Sequence, residues 1–113
     1  MNGNALGNFA ESIVRQIMEP LYLVIMSDFE LGRVVMTPGI AAEVPVHERA
    51  RALQRHGNQD WGDISQEDRG ENELSLKEGF RLLSVYHTEA GLKFWIITEA
   101  DRSATTILLP EEY

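Results

Sequence analysis

The sequence has no cysteine, few cations and no apolar run long enough to cross a bilayer. Without cysteine there can be no disulfide, thiolate metal site or cysteine nucleophile, and a reducing, cytoplasmic setting is the expectation. Ten Lys and Arg stand against 18 Asp and Glu, a formal charge of −8. A chain of that balance repels phosphate backbones, so direct nucleic-acid binding is not expected, although a local basic patch or acidic mimicry of nucleic acid stays open. The longest apolar run, Leu21 to Met26, is far short of the roughly 20 residues a spanning helix needs. No basic segment or small-residue cleavage site makes it a signal peptide, and no membrane association is expected.

What is present fits one small domain. With 113 residues, 43% of them hydrophobic, the chain can bury a modest core. Asn8 and Glu11 form a capping-box pair, and Phe9, Ile13, Val14, Ile17 and Met18 recur at helical spacing, which predicts a helix over 9–18 stopped by Pro20. Leu21 to Met26 reads as a buried strand or as a segment that docks on a partner. Leu31 to Met36 reads as a short strand, followed by a helical turn from Pro38 to Ala42, with Thr37 before a first-turn proline. A helix over His47 to His56 follows, with Gly57 as its C-cap. Ser65 to Asp68 is a capping-box start, and Glu73 with Lys77 is a favourable i,i+4 pair, so 66–78 is predicted helical up to Gly79. Only Leu74 and Leu76 are apolar there, so this helix is expected to lie mostly in water.

Arg81 to Thr88, Lys93 to Thr98 and Ala104 to Leu109 are β-rich runs joined by short connections, which require antiparallel neighbours. The expected fold is α+β: a C-terminal three-stranded antiparallel meander covered by three or four short helices, with room for an extra N-terminal strand. Alternation puts Trp95 and Ile97 on one side of the middle strand and Phe94 and Ile96 on the other, so both sides are expected to be covered. Residues 1–28 read as an N-terminal extension, a short helix plus an apolar strand, and 29–113 as a single domain.

Several groups of residues invite a chemical reading. His56, Asp60, Asp63 and Asp68 offer nitrogen and oxygen to a metal, but the spacing is not a metal signature. Starting a calcium loop at Asn58 puts Arg69 at its twelfth position, and starting at Asp60 puts Gly62 at its third. Turn-forming Asp residues around a Trp61 anchor are the plainer account. Ser84, His87 and Glu89 cannot make a nucleophile and base within one strand, since residues three apart point to opposite faces. An approach of His47 or His56 to Ser84 or a threonine across the fold stays open. Glu99, Asp101 and Arg102, between the last two runs, are candidate binding residues together with Trp61, because binding residues concentrate on loops. The alternative is a solvated turn with a surface ion pair. Charge is uneven: 47–55 carries three Arg against Glu48, and 57–78 seven acids against Arg69 and Lys77. No motif implies a cofactor.

From Phe29 onward the chain resembles a group of short bacterial "plasmid-related" proteins found on plasmids and integrated mobile elements. The residues that carry the resemblance are Leu31-Gly32-Arg33-Val34-Val35 with Thr37-Pro38-Gly39, Asp60-Trp61-Gly62-Asp63, Glu71-Asn72-Glu73-Leu74, Lys77 to Ser84, and above all Trp95 to Ser103 running on to Tyr113. Some of those proteins carry the label of a restriction-system modification subunit. This chain has neither a glycine-rich cofactor loop nor an N-P-P-Y-type tetrapeptide, and that activity is not carried over. Residues 1–25, ahead of Met26-Ser27-Asp28, read as an extension particular to this chain. Together these features imply a mobile-element accessory that binds a protein partner and is not an enzyme. Two alternatives are a small metal-dependent hydrolase or nuclease using the His56 group, and an acidic inhibitor of a host system that handles nucleic acid.

Overall fold

The computed structural model describes residues 27–113. The helix expected over 9–18 and the strand expected over 21–26 lie outside the described residues. Strand β1 (Arg33–Met36) leads into helices α1 (Pro38–Glu43), α2 (Val46–Gly57) and α3 (Gln66–Glu78). Strands β2 (Leu82–His87), β3 (Lys93–Thr98) and β4 (Ala104–Leu108) follow, then a 3-10 turn at Pro110–Glu112. The fold is α+β, built on one four-stranded mixed sheet in the order β1-β4-β3-β2.

The three C-terminal runs pair antiparallel, Ser84 opposite Ile96 and Ile96 opposite Ile107. The sheet is mixed because β1 lies parallel to β4, with Val34 opposite Thr105. Nothing in the spacing of apolar residues disclosed that pairing. It depends on where three intervening helices return the chain.

Local chemistry accounts for the helix ends. Ser65 accepts a bond from the Asp68 N–H at the start of α3, and Gly79 closes it with φ at 81°, a left-handed conformation suited to glycine. Thr37 precedes Pro38 as expected, but its hydroxyl turns away from α1 and donates to Glu112, whose carboxylate also accepts the N–H groups of Gly39 and Leu109. Those donors hold the Glu112 carboxyl below its ordinary value, the Thr37 hydroxyl contributing most. Gly57 stays inside α2 rather than capping it, and Ser27 packs against it where a Cβ would come within 2.4 Å.

The main core joins α1 and α2 to one side of the sheet. Ile40, Val44, Ala52 and Leu53 pack on Tyr86, Phe94, Ile96 and Ile107, with Leu31 and Leu109 closing the ends. Helix α3 docks differently from its apolar pattern: Leu74 is 52% exposed, and the residues it buries are Asn72 and Ser75. The Asn72 side chain accepts from the Leu83 N–H at 3.1 Å and donates to the Leu83 carbonyl at 2.8 Å. One step along, Val85 donates to the Trp61 carbonyl and accepts from the Asp63 N–H. The outer edge of β2 is thus hydrogen-bonded by a side chain and a loop, which guards it against pairing with another chain. Gly62 makes this possible: its φ is 78°, and a Cβ there would sit 2.0 Å from the Val85 carbonyl oxygen.

Candidate functional site: a buried polar chain and the opposite sheet face

On the helix-covered side, four polar side chains are buried in a row. Ser84 and Thr98 come from β2 and β3, Thr105 from β4 and His56 from the last turn of α2. The Thr105 hydroxyl donates to the Leu31 carbonyl at 2.7 Å, so toward Thr98 it acts as acceptor, at 2.7 Å. Thr98 then accepts from His56 Nε2 at 2.8 Å, and His56 Nδ1 accepts from the Ser84 hydroxyl at 2.6 Å. The terminal carbonyl therefore sets every proton in the chain and makes His56 the neutral Nε2–H tautomer. Burial pushes the His56 pKa down to about 3, with the Arg102 charge adding to it.

The approach of His56 to Ser84 has the residues of a nucleophile and base without their setting. Both are 0% exposed, and the imidazole is enclosed edge-on by the rings of Phe29 and Trp61 at 5.4 and 5.5 Å. No substrate atom can reach that hydroxyl in this conformation. The row acts as a satisfied polar pin across three strands and one helix.

The other residues singled out from the sequence are dispersed. Asp60 forms a two-pronged pair with Arg55 at 2.7 and 3.1 Å, which holds its carboxyl below the ordinary value. Asp63 pairs with His87 at 2.8 Å, and Asp68 lies in the first turn of α3. Among the described residues no three His, Cys, Asp or Glu side chains gather as a metal would require. Trp61 is 2% exposed and stacks on Phe29 at 6.1 Å. Arg102, with φ at 60°, spends its guanidinium on the carbonyls of Ser75, Phe80, Glu99 and Ala100. It thereby ties the end of α3 to the β3–β4 turn. Asp101 accepts from the Ser103 N–H, and Glu99 lies 4.0 Å from Arg81. The 56–68 and 98–106 loops do approach each other, but the Phe29 ring fills the space between them, 6.0 Å beneath Arg102.

Among the described residues, recesses open on the surface at two places. One, of about 250 Å³, lies between α2 and the β2–β3 hairpin and mixes Arg51, Arg55 and His87 with Glu48 and Glu89. Its charges largely answer one another: Arg55 is held by Asp60, and Glu48 accepts the Glu89 N–H. The second, of about 330 Å³, is apolar, lined by Leu83, Trp95, Ile97 and Tyr113 with Arg81 at its rim.

This second recess belongs to the side of the sheet away from the main core. Register puts Leu83, Val85, Trp95, Ile97, Thr106, Leu108 and Val35 there. The helix residues buried among those described are otherwise engaged: Ile40, Ala52 and Leu53 in the main core, His56 in the polar row, Gly57 against Ser27, Asn72 on the β2 edge and Ser75 under Arg102. Tyr113 reaches over one corner, edge-on to Trp95 at 5.8 Å, with Arg81 donating to its hydroxyl. On this side of the middle strand Ile97 is 5% exposed and Trp95 half-buried; among the described residues α1 and α2 pack on the other side and α3 sits at the edge, and the N-terminal run expected to help cover this side lies outside the described residues.

The charges on this face run against those of the whole chain. Its charged strand residues are Arg33 and Lys93, both exposed, with His87 as the ionisable neighbour and Arg81 at the recess. No strand position on this side carries an acid. Composition hid this, since a sum of −8 says nothing of faces. The parity of 81, 83, 85, 87 and 93, 95, 97 was present in the sequence, but which parity the helices would cover was not. Compared with known proteins, the chain matches no family model, no curated protein and no solved structure.

Proposed function

We propose that this chain is a non-enzymatic protein-binding module, an accessory of a mobile element as its resemblance implies, whose docking surface is the face of the sheet that no described helix covers. The observation that supports the reading is an apolar strip of half-buried residues, Leu83, Val85 and Trp95, beside the buried Ile97 and framed by Arg33, Arg81 and Lys93 on an otherwise acidic chain. Apolar surface supplies the drive to associate, and the frame selects the sign of the partner. The partner segment is therefore amphipathic and acidic. The polar groups that would serve catalysis are buried and mutually bonded, or paired at the surface. The metal-hydrolase alternative has no gathered ligand set among the described residues to support it. Acidic inhibition draws on the exposed acids of α3, with others such as Glu30, Glu43, Glu89, Asp101 and Glu111 spread over other elements.

The test uses two soluble peptides, one alternating leucine with glutamate and one alternating leucine with lysine, titrated while Trp95 fluorescence is followed. The reading expects the glutamate peptide to bind about tenfold tighter, and that preference to vanish in an Arg33→Glu, Lys93→Glu variant. Equal binding of both peptides, or a preference that survives the charge reversal, would overturn it.

A further inference from the structure

The recess of about 250 Å³ between α2 and the β2–β3 hairpin is lined by described residues. Glu48, Arg51, Ala52 and Arg55 recur at three- and four-residue spacing, so one stripe of α2 makes one wall, and Thr88 and Glu89 of the hairpin make the other. Its floor is Ala52, Tyr86 and Phe94, each buried.

Both walls are pinned by bonds that engage most of their charge. The Glu48 carboxylate accepts the Glu89 N–H at 3.0 Å and lies 4.0 Å from His47, which ties α2 to the hairpin turn. Arg55 is held by Asp60 at 2.7 Å with its guanidinium 4.8 Å over the Tyr86 ring, and His87 pairs with Asp63. Two opposite charges are left over. Glu48 stands one turn before Arg51 but is turned to the hairpin. Among the described residues, neither the Arg51 guanidinium nor the Glu89 carboxylate has an ion-pair or hydrogen-bond partner, although both residues line the same recess.

A ligand that answers both charges must carry both signs. The volume lies just under the range of about 300–1,000 Å³ typical of small-molecule pockets, which suits a small occupant, and a round cavity of that volume is about 8 Å wide. An α-amino acid bonded at both ends needs its two protein charges about 8 Å apart, from two charge-assisted bonds of about 2.8 Å and roughly 3 Å between its own amine and carboxylate. The buried apolar floor then takes an apolar side chain.

We infer that this recess binds a small zwitterion, an α-amino acid with an apolar side chain, whose carboxylate pairs with Arg51 and whose ammonium pairs with Glu89. The site uses neither the apolar strip nor the cations that frame it, so it stands apart from the docking reading. Both charges are exposed and water competes for them, so the affinity is modest, with a Kd on the order of 1 mM.

The test is an amide chemical-shift titration of the full chain at pH 7 with L-leucine, with N-acetyl-leucine, which lacks the ammonium, and with leucine methyl ester, which lacks the carboxylate. Leucine is expected to give saturable shifts centred on Arg51, Ala52, Thr88 and Glu89, and each blocked compound to bind at least about fivefold more weakly. Arg51→Gln should weaken leucine about fivefold or more and leave the methyl ester unchanged, whereas Glu89→Gln should weaken leucine as much and leave N-acetyl-leucine unchanged. Both residues are exposed, so these changes leave the fold intact. No saturable shift at the recess up to about 20 mM leucine, a blocked compound that binds as well as leucine, or leucine binding that either substitution leaves unmoved would each overturn the inference.

Discussion

The two sides of the sheet solve opposite problems. The helix-covered side buries Ser84, His56, Thr98 and Thr105 and satisfies each within the row, so its specificity is spent on holding the fold together. The opposite side, which no described helix covers, buries Ile97 and Leu108 but leaves Trp95 half-buried and Arg33 and Lys93 exposed. Polar groups in a protein interior organise structure when fully paired, whereas apolar groups left at the surface are surfaces for association. The lesson is that the chemistry-bearing histidine lies on the helix-covered side, and the face proposed for docking gathers, among the described residues, apolar side chains and cations.

The contrast is broken most severely by changes on the covered side. Gly62→Ala puts a methyl into the Val85 carbonyl and holds a left-handed φ, and should cost about 3 kcal/mol or more, read by urea unfolding. Thr98→Val removes the central link of the polar row, leaving the Thr105 hydroxyl without its donor and the His56 N–H without its acceptor. A loss of about 2–3 kcal/mol is expected by the same measurement.

A pH series sharpens the same side. His56 is neutral in the fold with its pKa pushed to about 3, well below the unfolded value near 6.5, so below pH 6.5 the unfolded chain takes up a proton that the native chain refuses. The stability is fully present above about 6.5 and is lost as pH falls toward 3. Between pH 7 and pH 5 this one group should cost about 2 kcal/mol in the free energy of unfolding. A flat profile over that interval would mean that the row is open to water. On the opposite side, by contrast, Val85→Thr at a half-buried position should cost no more than about 1 kcal/mol while weakening capture of the glutamate peptide.

The legible part of the fold was the part fixed by short range. Ser65 and Gly79 marked the ends of α3, and two tight connections forced β2, β3 and β4 into antiparallel order. What escaped depended on distant partners. The parallel placement of β1 beside β4 leaves no local trace, and α3 docks through Asn72 because the β2 edge needs a hydrogen-bond partner, which hydrophobic periodicity cannot report. Of the loop residues favoured from sequence, Trp61 is interior and Arg102 binds carbonyls of its own chain, while Glu99 and Asp101 remain at the surface turn. Polar character marked them, but it does not distinguish a residue that binds a partner from one that ties its own backbone.

The central claim, that a partner docks on the sheet face no described helix covers, is tested most directly by amide chemical-shift mapping during titration with the glutamate peptide. The account predicts that the largest shifts trace Arg33, Val35, Leu83, Val85, Trp95, Ile97 and Thr106, with Ala52, Leu53 and Ile40 nearly still. Shifts centred instead on α2 or on the acids of α3 would contradict it.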